Sequence, residues 1–329
     1  MSRLIGFLVI VAVIVFGAFF ILRTPDTDPA AMAAKYGGPP SQFLDWPDGR
    51  IHYRDQGNPN GPAIILIHGT AASLHTWEGL VKLLGDDYRI ITYDQPGHGL
   101  TGPSKSEDYS AHGMMAALDA VVNKTGVTHF VLGGNSMGGW VAWRYALEHP
   151  DRVDALLLID AAGMPLREGE SAPPSNIGFK LLQIKWLRPL LEQITPRGIV
   201  AQSLKQTVGD PAVVTDAMID RYWELLRYPG NRRASALRMD VDREPAMADR
   251  VAEITAPTLI LWGAKDQLIY PTAGETFHER LPHSKLIVYD GLGHIGMEEA
   301  PEKLAPDIRA FLEESLLAAP APQEEETAP

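Results

Sequence analysis

Six short, largely apolar runs punctuate the chain: Ala63–Ile67, Arg89–Tyr93, His129–Gly133, Ala155–Ile159, Thr258–Trp262 and Lys285–Tyr289. Each is about as long as a typical strand and shorter than a typical helix. Wholly apolar runs of this length are what parallel strands buried on both faces require. Helix-compatible stretches fall between them, among them Ala111–Lys124 and Trp140–Glu148. Strand and helix alternating from residue 63 onward predict a mostly parallel, doubly wound α/β sheet. Upstream, Pro47-Asp48-Gly49 between Gln42–Trp46 and Arg50–Gln56 reads as a hairpin.

The third run leads into Gly134-Asn135-Ser136-Met137-Gly138, and a helical stretch follows. A serine lifted off a strand on a sharp turn exposes its hydroxyl, and small neighbours let strand and helix approach closely. Backbone N–H groups at the start of the following helix favour negative charge. A serine so held can attack a carbonyl and have the oxyanion stabilised. Three further elements stand just past the ends of other strands. His68-Gly69-Thr70 follows the first run and can turn a backbone N–H toward the serine, so the oxyanion donors are assigned as the N–H groups of Thr70 and Met137. Asp266 follows Thr258–Trp262, and His294 follows Lys285–Tyr289. Loops at the carboxyl ends of such strands line the crevice of a doubly wound sheet.

Two residues compete for single roles. Asp160 also closes a strand, after Ala155–Ile159, and is the rival acid, with Asp266 preferred. His98, in Pro96-Gly97-His98-Gly99, reads as a turn residue rather than a base, and His68 as structural.

With these motifs the chain resembles the α/β-hydrolase superfamily. The matching pieces are His68-Gly69, Asp94–Gly99, Gly134–Gly138, Trp262–Asp266 and Gly293-His294, spanning about residue 40 to 316. The order Ser136, Asp266, His294 is that family's order of nucleophile, acid and base. The resemblance implies a serine hydrolase with a lid inserted after the sixth strand. A serine nucleophile argues against haloalkane dehalogenases and epoxide hydrolases, which place an aspartate there.

About a hundred residues without strand signal separate Asp160 from Thr258, too long for a loop, so they predict a helical cap over Ser136. Within it, Phe179–Arg188 interleaves apolar and basic residues. It reads either as a contact with an anionic lipid surface or, preferred, as a helix lining an acyl pocket with its lysines in water.

Leu4–Leu22 is apolar or glycine throughout. At about 1.5 Å per residue it is roughly 28 Å long, against a hydrocarbon core of about 30 Å. It is expected to be a transmembrane anchor rather than a cleaved signal, which has a shorter apolar region. Arg3 before it, and Arg23 closely followed by Asp26 and Asp28 after it, favour a cytoplasmic N-terminus. The catalytic part would then lie in the periplasm of a Gram-negative cell. The expected organisation is anchor 4–22, juxtamembrane linker 23–40, core 41–164, helical cap 165–252, core 253–317 and a disordered tail 318–329.

A net charge of −12 makes nucleic acid an unfavourable partner, and the lack of cysteine excludes disulfides and thiolate metal sites. No metal or cofactor motif is present. The function expected is hydrolysis of a small-molecule or lipid-like carboxylic ester by a membrane-anchored enzyme, of lysophospholipase, phospholipase A or carboxylesterase type. Alternatives on the same triad are a carbon–carbon bond hydrolase, a perhydrolase and an acyltransferase. From another class, the chain could be a low-turnover ligand-binding receptor.

Overall fold

The computed structural model describes residues 2–173, 176–242 and 244–317; the tail expected to be disordered, 318–329, lies outside the described residues. One sheet has eight strands: β1 (Gln42–Trp46), β2 (Gly49–Gly57), β3 (Ala63–Ile67), β4 (Arg89–Tyr93), β5 (Phe130–Asn135), β6 (Val153–Ile159), β7 (Thr258–Gly263) and β8 (Ser284–Tyr289). Their spatial order is β1-β2-β4-β3-β5-β6-β7-β8. β2 pairs antiparallel with β1 and β4, and every other pairing is parallel. The Pro47-Asp48-Gly49 signal is the β1–β2 hairpin, with Trp46 opposite Gly49.

Alternate strand residues face opposite sides. Ile65, Ile67, Ile91, Leu132, Leu156 and Ile260 pack with one layer of helices. Ile64, Leu66, Ile90, Leu157 and Leu259 pack with the other. Both faces are apolar because both are covered, which explains the unbroken apolar runs.

The helices are α1 (Ser2–Leu22), α2 (Pro29–Tyr36), α3 (Glu78–Leu84), α4 (Ala111–Thr125), α5 (Met137–Glu148), α6 (Ile177–Gln183), α7 (Arg188–Leu191), α8 (Arg197–Lys205), α9 (Asp216–Leu226), α10 (Asn231–Arg238), α11 (Pro271–Arg280), α12 (Gly296–Glu299) and α13 (Pro301–Leu317). α4, α5 and α11 cover one face of the sheet; α3 and α13 cover the other. α6 to α10 make up the insertion between β6 and β7. Ser110 caps α4 through a bond from Gly113 N, and Gly126 ends it at φ 72°.

The chain's beginning corrects one expectation. Among the described residues, no helix is long and apolar enough to cross a membrane. The transmembrane anchor, the membrane as a partner through it, and the periplasmic placement built on it are therefore withdrawn. Residues 24–28 lie against the insertion: Thr24 N donates to Gln193 O at 2.8 Å, and Thr27 N to Arg227 O at 3.0 Å. Arg232 pairs with Asp26 at 2.6 Å.

Asp94, just past β4, ties together the loops under the site. Its buried carboxylate accepts bonds from His52 Nδ1 at 2.7 Å, Leu74 N at 2.7 Å and Leu100 N at 2.8 Å. Burial works against its charge, but the adjacent His52 imidazole outweighs that and holds the carboxyl well below the usual carboxylate range. Asp94→Ala is expected to cost about 3–5 kcal/mol at pH 7, read from the denaturant midpoint. Because the folded pKa is depressed, this contribution is complete above pH about 4 and shrinks as pH falls further. The gap between variant and parent should therefore close in acid.

Candidate active site

β5 turns into α5 at Ser136, which sits at φ 54° and ψ −117°. A non-glycine residue at positive φ is strained and persists only where its surroundings enforce it. Here they do. Ser136 N donates to Ile159 O at 3.2 Å, and its carbonyl accepts from Trp140 N and Ala162 N. The turn also needs bare backbone beside it: a Cβ on Gly138 would stand 2.0 Å from Ile67 O, and one on Gly134 2.3 Å from Gly138 C. Between residues 130 and 146, only Ser136 escapes full burial.

His294 lies on the loop after β8 and is buried. Its Nδ1 bonds Asp266 Oδ2 at 2.7 Å. The other carboxylate oxygen of Asp266 accepts from Leu268 N at 2.7 Å and Ile269 N at 3.1 Å, so the loop after β7 fixes the carboxylate. Ser136 and His294 line the same cavity, with Gly69 and Thr70 beside them. The loop carrying Gly69 lies close: a Cβ there would be 3.1 Å from the Ser136 Cβ. Thr70 Oγ1 donates to Met137 Sδ at 3.8 Å and accepts from Arg238 Nη2. Met137 opens α5, where the first N–H groups have no partner inside the helix.

The competing residues are placed apart from these roles. His68 accepts from Gln95 N at 3.0 Å through Nε2, which leaves Nδ1 to donate to Gly69 O at 2.8 Å. Burial lowers its pKa, and the neutral ring pins two loops together. His98 bonds Pro96 O at 3.0 Å inside its own turn. Asp160 is buried at φ 45° and accepts from Gly263 N at 2.9 Å. Burial first, and the Asp266 carboxylate second, push its pKa well above the carboxylate range. His294 is bonded to Asp266 rather than to Asp160. Asp160, Asp266 and His294 offer atoms within 4.8 Å of one another, a spacing that could hold a metal ion. Those of His294 and Asp266 are engaged with each other, and Asp160 Oδ1 with Gly263 N.

Three supporting residues escaped the sequence reading. Asn135 Nδ2 reaches Ile159 O at 3.1 Å and His294 O at 2.9 Å, joining three strand ends. Glu299 accepts from Gly293 N at 3.1 Å and from Gly209 N at 2.9 Å. Thr207, in the insertion, accepts from His294 N at 2.7 Å. Only Asn135 carried a signal, its place inside the serine pentapeptide.

The rest of the cavity is supplied by the insertion, mostly with apolar side chains: Phe179, Leu182, Leu191, Ile194, Leu204 and Leu226. Lys180 and Lys185 point to solvent. From the Phe179–Arg188 segment, Phe179, Leu181, Leu182 and Arg188 line the cavity, whereas Ile184 and Trp186 are exposed, so the preferred reading fits only part of the segment.

The chain has many relatives. It is 29% identical over 278 residues to monoacylglycerol lipase abhd6-B of Xenopus laevis, covering 79% of this chain and 78% of that one. It is 28% identical to a 2-hydroxy-6-oxononadienedioate/2-hydroxy-6-oxononatrienedioate hydrolase of Burkholderia vietnamiensis, covering 80% and 91%. Its structure resembles that of a bacterial membrane phospholipase A with a TM-score of 0.70 at 25% identity, covering 97% of this chain and all of that one. The profile of the alpha/beta hydrolase fold matches residues 62–301, and with the sheet order and the strand-to-helix turn it shows that the chain belongs to the α/β hydrolase family.

Proposed function

We propose that this α/β hydrolase cleaves carboxylic esters bearing a lipid-like acyl chain, with Ser136 as nucleophile, His294 as base and Asp266 as its orienting acid. The observation that carries the reading is the 2.7 Å bond from His294 to Asp266 on a cavity that also exposes Ser136. In this mechanism His294 removes the Ser136 proton as Oγ attacks the ester carbonyl. The N–H groups of Thr70 and Met137 receive the oxyanion. His294 then returns the proton to the departing alcohol, and Asp266 stabilises the imidazolium. Water activated by the same histidine releases the acid from the acyl-enzyme.

The stretch 165–252 acts as the cap in this reading. Its apolar lining suits an alkyl chain better than a charged one, since a buried charge needs a partner. The carbon–carbon bond hydrolase among the relatives keeps that chemistry as the second reading. A panel of p-nitrophenyl esters, monoacylglycerols and a vinylogous 1,5-diketo acid separates the two. Turnover of the diketo acid alone overturns the ester assignment.

The pocket also predicts a change of chain-length preference. Ile194 lines the cavity and is only half-buried, so Ile194→Trp can fill space there without rebuilding a core. It is expected to lower kcat/KM for long acyl chains by about tenfold or more, and for acetyl esters by less than about twofold. Equal losses on both would place the acyl chain elsewhere.

A further inference from the structure

The turns after β6 and β7 bring two buried carboxyl groups together. Carboxylate oxygens of Asp160 and Asp266 and a ring nitrogen of His294 all lie within 4.8 Å of one another. Two buried carboxyl groups this close do not both ionise readily, so one of them keeps its proton. The partners decide which one. Asp266 already accepts from His294 Nδ1, Leu268 N and Ile269 N, so both of its oxygens serve as acceptors. Asp160 accepts from Gly263 N alone among the bonds described for it. Among the described residues, the titratable groups that act most strongly on Asp160 are Asp266 on the loop after β7 and Glu299 on α12, and His294 on the loop after β8 lies within 4.8 Å. None of these is an arginine or lysine, and the imidazole is engaged with Asp266. The backbone of Asp160 is held at φ 45°, a strained value for aspartate, as is that of Ser136 in the neighbouring turn.

We propose that Asp160 is a neutral positioning residue: it keeps its proton and donates it in a hydrogen bond to the Asp266 carboxylate. It is then the fourth donor to that carboxylate. It holds Asp266 Oδ2 toward His294 without adding a second negative charge beside the imidazole. No covalent step is involved, and the proton stays on Asp160 through the cycle. The role rests on the catalytic reading of Ser136, Asp266 and His294, but the protonation of Asp160 does not.

Asp160→Asn, which supplies a neutral donor of the same shape, and Asp160→Leu, which supplies none, test it. The first measurement is thermal stability against pH. The unfolded chain releases the Asp160 proton above pH about 3.9, whereas the folded parent must retain it. Parent stability is therefore lost as pH rises through that value, and the asparagine variant escapes the loss. The melting-temperature advantage of Asp160→Asn is expected to widen steadily from pH 4 to pH 7. A gap that stays constant or narrows overturns the proposal, whatever the enzyme hydrolyses.

The second measurement is the pH–rate profile on a soluble ester. Asp160→Asn is expected to lose no more than about fivefold, with its acid limb in place, and Asp160→Leu to lose about thirtyfold. An ionised Asp160 removed from beside the base would move that limb down by about two pH units. Such a shift, or equal losses in the two variants, overturns the proposal. Where the leucine variant does not fold, the two readouts on Asp160→Asn decide. Loss of fluorophosphonate labelling in Ser136→Ala reports on the catalytic reading separately.

Discussion

Ser136→Ala is expected to abolish ester hydrolysis, with kcat falling by about a millionfold, and to abolish labelling by a fluorophosphonate. The effect is large because serine and histidine act as one unit, and no neighbour can substitute for the missing oxygen. Within residues 130–146 every other residue is buried. The fold should survive, since the Ser136 hydroxyl caps no helix and its turn is held by backbone bonds to Ile159, Trp140 and Ala162. An unchanged melting temperature with no turnover is the outcome that fits. Turnover near that of the parent would exclude the serine mechanism.

Asp266→Asn is expected to lower kcat by about ten-thousandfold. An amide in that place can turn its NH₂ group toward His294 Nδ1, which favours the wrong tautomer and withdraws the charge that stabilises the imidazolium. Leu268 N and Ile269 N demand an acceptor at the other oxygen, so the amide oxygen is drawn to them and its nitrogen is aimed at the histidine. The same substitution at Asp160 removes no charge that the base depends on. A larger loss at Asp160 than at Asp266 would transfer the acid role to Asp160.

Much of this was legible in the chain. The strands were readable because runs such as Ala63–Ile67 are buried on both faces and hold no ambiguity of side. The three residues proposed for catalysis stood out because each follows one of those strands, where topology alone brings loops together. What stayed hidden was non-local. Nothing in the local sequence says that Glu299 gathers the N–H groups of Gly209 and Gly293, or that the carbonyl of Thr207 faces His294. Asp160 was visible only as a rival to Asp266. Both carboxyl groups arrive at the same place because β6 and β7 are adjacent in the sheet, a fact of topology that pairs two candidates instead of choosing one. The apolar stretch at the start misled for a different reason. The span was inferred from composition alone, and among the described residues no helix is long and apolar enough to cross a membrane.

The bond from His294 N to the Thr207 carbonyl ties the backbone of the proposed base to the insertion. Thr207 follows α8, whose Val200 and Leu204 form part of the wall a substrate must pass or rest against. A guest bulky enough to displace that wall would pull on the backbone of the histidine as it came in. Until the wall returned, the ring would be held less firmly against Asp266. In the proposed mechanism, admission and readiness would then not both be complete at the same moment, and a molecule that props the wall open would be held but not cut. Discrimination against oversized guests is then expected in kcat as well as in KM, because a poor fit would disarm the proposed base without being expelled.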